Sequence, residues 1–247
     1  MPHEKPAKDQ LTRQPPRAAP VSIDARIAGI ARRQRGVITR QQVLGEVEVG
    51  AGAIHRRLAT GRLVAVHRGV YRVAGPPVPL GWAMAAALAG GEGAAVSGRS
   101  AAAVHAIGGR GPRVEITGPR ERRHPGIHSR VARLPAEDLT IRLGVPVTTV
   151  ARTVFDLAGR ADYSGTRLVE LLHRARIVRS GLLAELDLLI ARESGPGRSG
   201  LAEMGLRAHL ADDSGPIRSV FEREFRQALA ESDLPAPRST SPSEAWR

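Results

Sequence analysis

Residues 22–75 hold the pattern that most limits the fold. "SIDARIAGIARRQRG" (22–36) puts Ile23, Ile27 and Ile30 on one helical stripe. It opens on a capping Ser22 or Asp24 and stops at Gly36. In "VITRQQVLGEV" (37–47), Thr39 is placed to cap a second, short helix. "GAGAIHRRLATGRL" (50–63) gives a third, with Ile54 and Leu58 facing inward and Gly61 at its C-terminal end. "LVAVHRGVYRVAG" (63–75) then alternates on both sides of Arg68-Gly69, which is a β-hairpin signal.

Three short helices followed by a hairpin spell a winged helix-turn-helix. "PPVP" (76–79) marks a boundary after it. Beyond, "LGWAMAAALAGG" and "SGRSAAAVHAIGG" read as two helices closed by glycines. "RVEIT", "GIHSRVARL", "LTIRL" and "VPVTT" read as short strands, and "TTVARTVFDLAGR" as a helix capped by Thr148 or Thr149. Four more helices are expected in "YSGTRLVELLHRARIV", "SGLLAELDLLIARES", "RSGLAEMGLRAHLADD" and "SVFEREFRQALAESDL". The expected class is α+β: a winged helix-turn-helix at 22–75, a small α+β domain at 80–160 and a helical segment at 161–233. The polar, Pro-rich residues 1–21 and the Pro/Ser-rich residues 234–247 read as disordered tails, the first of them basic.

Aromatic residues make up only 3% of the chain, so its cores must be built from Ala, Val, Leu and Ile. The net charge of +13 points to a polyanionic partner, and double-stranded DNA is the first candidate. Codon bias explains why Lys5 and Lys8 are the only lysines. It explains less well the imbalance of 37 basic against 24 acidic residues. The absence of cysteine excludes disulfide frameworks, zinc fingers and Cys nucleophiles. No apolar run approaches a membrane span, and the N-terminus lacks the apolar core of a signal peptide, so a cytoplasmic location is expected.

In a helix-turn-helix the second helix of the pair enters the major groove. Here it would present His55, Arg56 and Arg57, whose donors suit guanine O6 and N7. Thr39, Arg40 and Gln41 open the preceding helix, where backbone N–H groups favour a phosphate. Arg62, His67, Arg68 and Arg72 decorate the wing, which lies on the DNA backbone. Across 22–75, ten arginines face three carboxylates. The same charge also suits a protein-interaction module with a solvated arginine face.

"GVITRQQVLGEVEVGAGAIHRRLATGRLVAVHRGVYRVAG" resembles the N-terminal winged-helix domain of AbiEi-type antitoxins of type IV toxin–antitoxin systems. "VHRGVYRV" directly after "RRLATGRL" is its most telling piece. The resemblance continues through "VSGRSAAAVHAIGG", "VEITGPRERR" and "LPAEDLTIRLGVPVTTVARTVFDLAG", to about residue 160. It implies a DNA-binding protein that represses its own operon and neutralises a nucleotidyltransferase-like toxin encoded beside it. That toxin would be a protein partner; no cofactor and no metal are expected.

"RVEITGPRERRHPGIHSR" gathers Arg113, Arg120, Arg122, Arg123, His124, His128 and Arg130 around two strands. It fits a second phosphate-facing surface, a toxin-docking surface or an ordinary solvated hairpin loop. His124 and His128 cannot share a helical face across Pro125-Gly126, so a metal pair is not expected. Arg152 and Asp156 are spaced for an i,i+4 ion pair. "ALAGGEGAAVSGRS" lacks the P-loop pattern, and Ser97 and Ser100 lack a nucleophile-elbow context.

"SVFEREFRQALAESDLPAPRS" resembles the entrance helix of very-short-patch-repair-like endonucleases of the PD-(D/E)XK class, with Glu222 at the position of that motif's Glu. Metal-dependent cleavage needs clustered carboxylates, and after Leu234 there is neither Asp nor Lys. The favoured reading of Glu222 is a capping box with Ser219 at a helix start. The expectation is a binding protein and not an enzyme. The alternative is a truncated, inactive remnant of a nuclease fusion.

Overall fold

The computed structural model describes residues 21–163 and 165–193. Helix α1 (Ile23–Arg33) begins where Ser22 Oγ accepts from Ala25 N at 3.2 Å. Strand β1 (Val37–Thr39) runs into α2 (Arg40–Gly45), and Thr39 and Gln42 form a reciprocal capping box there. Helix α3 (Ala51–Ala59) follows, then β2 (Leu63–His67) and β3 (Val70–Val73). The three strands form an antiparallel sheet in the order β1-β3-β2. Ile38 and Tyr71 on one face of this sheet pack with Ile27, Val43 and Ile54 of the three helices.

Its other face is also covered. Val37 and Val70 pack against α4 (Gly81–Gly90), whose far side covers a second sheet. That double burial explains "GWAMAAALAG": a helix with apolar partners on both sides needs no polar face, and small residues let two sheets approach it. The second sheet contains β4 (Ala95–Val96), β5 (Val114–Gly118), β6 (Ile127–Val131), β7 (Leu139–Arg142) and β8 (Val145–Thr148), in the order β6-β5-β4-β8-β7. Helix α5 (Gly98–His105) connects β4 to β5. Helices α6 (Val150–Ala158), α7 (Thr166–Val178) and α8 (Leu182–Glu193) close a third core around Leu157, Leu172, Leu182 and Leu186. The fold is thus mixed α+β. No helix among the described residues is long and apolar enough to cross a membrane.

Two strands escape the sequence pattern, and both are short. β1 has three residues ahead of a helix cap, and β4 has two inside a glycine-rich run. β4 is nevertheless the centre of the larger sheet. The connection 119–126 is also not a hairpin loop. β5 and β6 pair in parallel, Val114 opposite Ile127 and Gly118 opposite Val131, so these residues run back along the strand. A parallel pair usually needs a dozen or more connecting residues, and this link makes the return in fewer.

Arg152 does more than pair with Asp156. Its guanidinium is buried and lies 3.0 Å from Asp156, 2.8 Å from Asp138 and 3.4 Å from Glu193. Arg192 of α8 closes the group with two 2.6 Å bonds to Asp138. Burial works against the charge on Arg152, yet Asp156, Asp138 and Glu193 raise its pKa above the ordinary value. Burial pushes the Asp156 carboxyl up, and Arg152 only partly offsets this. The helices expected at 198–213 and 219–234, the pairing of Glu222 with Ser219, and the tails at 1–20 and 234–247 lie outside the described residues.

Candidate nucleic-acid interface

The arginines expected to face DNA divide into two groups. Arg57 and Arg62 converge on Asp24 at the start of α1, at 2.6 and 2.5 Å. Arg57 also donates to the Ala53 carbonyl, and its side chain is only 13% exposed. These guanidinium groups, Arg57 foremost, hold the Asp24 carboxyl below its usual pKa. Arg72 lies along its own strand end and donates to the Gly75 carbonyl at 2.8 Å. Arg57 and Arg72 are therefore engaged within the protein, whereas Arg62 is 67% exposed and its pair lies at the surface.

The second group is exposed. His55 and Arg56 project from α3, while Ala53 and Ile54 beside them are buried. Arg40 and Gln41 lie exposed at the start of α2, where the Thr39 hydroxyl accepts from Gln42 N at 3.1 Å. Arg68 occupies the β2–β3 turn beside Gly69, whose φ of +75° lies in the left-handed region that glycine tolerates. The Gly69 carbonyl accepts from Arg40 N at 2.7 Å, which ties the turn to the start of α2. Among the described residues, His55, Arg56, Arg40 and Arg68 have no carboxylate partner.

The alternation expected along β2 is interrupted. Ala65 faces Tyr71 and His67 faces Val70, so Val66 is an extra residue in a bulge. Val64 and Val66 are both 39% exposed. The bulge turns His67 toward the 119–126 connection, where its ring stands 5.8 Å from that of His124. Burial lowers the His67 pKa, and the charge of His124 adds to the shift.

His124 and the neighbouring β2–β3 turn also line an open cleft of about 1170 Å³. Arg40, Gln41, Arg68 and Gly69 form one wall, and Arg122, Arg123 and His124 form the other. Glu121 is the single carboxylate on the lining. The sequence holds the components of both walls, but no local pattern puts them opposite one another. Their juxtaposition follows from the parallel β5–β6 link and from α4, which holds the two sheets together.

Residues 26–74 match the model of a family described as "Transcriptional regulator, AbiEi antitoxin". That family comprises transcriptional regulators that act as antitoxins in toxin–antitoxin systems. No curated protein matches the chain. Among solved structures, the crystal structure of the RV2827C protein from Mycobacterium tuberculosis is similar at 22% identity and a TM-score of 0.43, over 73% of each chain.

Proposed function

We propose that residues 22–75 form a winged helix-turn-helix that binds double-stranded DNA, and that the protein is an antitoxin-like transcriptional regulator. The match of residues 26–74 to the antitoxin regulator family carries this reading. The element order supports it: three helices, then a hairpin whose turn holds Arg68. In this reading α3 enters the major groove, with His55 and Arg56 at base edges. Arg40, Gln41 and Arg68 lie on phosphates, which set register and orientation but carry little sequence information. Thr39 positions α2, Arg57 and Arg72 brace the unit from within, and Arg62 lies at its surface beside Asp24. The action is binding, with repression of the protein's own promoter as its outcome and a cognate toxin as a further partner.

A gel shift with the protein's own upstream region, set against a scrambled duplex of equal length, tests the reading. Arg56→Ala or His55→Ala is expected to weaken binding to the native duplex roughly 5- to 100-fold, as loss of a base contact does, and binding to the scrambled one much less. No salt-sensitive binding of the wild-type protein to the native duplex would sink the reading.

A further inference from the structure

We infer that the DNA-binding track does not end at the hairpin turn but crosses the cleft onto residues 120–124, where Arg122 and Arg123 take phosphates of the same duplex. This rests on the DNA-binding reading and adds a contact region outside the segment that the family match covers. Two observations carry it.

The first is continuity. Arg40 and Arg68, the phosphate contacts of the N-terminal unit, line the same cleft as Arg122, Arg123 and His124. The His67–His124 ring contact joins the two walls at one place. A duplex lying on Arg68 would therefore carry its neighbouring phosphates past residues 120–124.

The second is unused charge. Among the described residues, Arg122 has no carboxylate partner, and its guanidinium lies close to Gly91 at the C-terminal end of α4. Arg123 pairs with Glu121 at 3.0 Å, but both side chains are largely exposed, at 88% and 57%. An exposed pair of this kind is worth little, so a phosphate can displace the carboxylate. By contrast, Arg57 and Arg152 are largely buried and each meets an acidic partner.

Fluorescence anisotropy on the full chain tests the inference, with a duplex of the upstream region and a scrambled duplex, at salt from 50 to 300 mM. The double variant Arg122→Ala/Arg123→Ala is expected to lose roughly tenfold or more in affinity on both duplexes. Its slope of log K against log salt should shrink by about 1.8, the value for two lost phosphate contacts. Arg122→Lys/Arg123→Lys should retain most of the wild-type slope. An unchanged slope in the alanine variant, with wild-type binding intact, overturns the inference and leaves the helix-turn-helix reading standing. Absence of wild-type binding overturns both. Tighter binding of a single-stranded RNA or an acidic protein at this cleft than of duplex DNA also overturns it.

Discussion

His105 is buried at the end of α5, and its Nε2 donates to the Thr148 carbonyl at 2.7 Å. Burial lowers its pKa, with a smaller push in the same direction from Arg142, against the pull of the Thr148 bond. The unfolded chain therefore takes up a proton more readily than the native one. The contribution of neutral His105 is present above the ordinary histidine pKa of about 6.5 and is lost as pH falls through that region. His67 shifts the same way, so both act in one window. Thermal unfolding should show stability dropping as pH falls below about 6.5, with His105 contributing at most about 1.4 kcal/mol per pH unit and the more exposed His67 less. His105→Asn should be less stable by about 1–3 kcal/mol at pH 7.5 and less pH-dependent. An unaltered pH profile in that variant would remove His105 from the account. Residue types were legible in the sequence, but their engagement was not. Arg56 and Arg57 are neighbours on α3, yet only Arg57 meets Asp24, which is thirty-three residues away. An ion pair that distant leaves no local signature.

At the scale of elements, the capping residues were legible because their signal is local. Ser22, Thr39 and Thr149 each accept from a backbone N–H three residues on. β4 and the parallel link 119–126 were not, because tertiary pairing alone makes them what they are. The two glycines Gly29 and Gly90 show the same division. Both lie in helices, and propensity alone favours alanine at each. A Cβ on Gly29 meets nothing within 4 Å, whereas one on Gly90 would stand 2.5 Å from Ala94 Cβ and 2.9 Å from Ile116 Cδ1. Gly29→Ala is thus expected to stabilise by up to about 1 kcal/mol. Gly90→Ala is expected to destabilise by about 1–3 kcal/mol, since α4 and the sheet would have to part. Urea unfolding of both variants measures this, and two shifts of the same sign would contradict the packing around α4.

For the molecule as a whole, the boundary at 76–79 divides the sequence but not the core. Val37 and Val70 share a cluster with α4 and with Val96, Ile116 and Val147 of the larger sheet. Arg35 Nε also donates to the Leu143 carbonyl at 2.6 Å, across the same junction. A fragment of residues 22–75 would expose the sheet face that α4 covers. It is expected to lack a cooperative thermal transition, whereas residues 21–193 should show one; a sharply melting short fragment would show that α4 is dispensable. Because one helix serves as the wall of two sheets, the hairpin turn and the 119–126 link cannot swing relative to each other as hinged modules do. If a duplex spans both, the fit must come from the DNA. Sites with flexible pyrimidine–purine steps between the two contacts would then bind best, and base pairs the protein never touches would help decide where it sits.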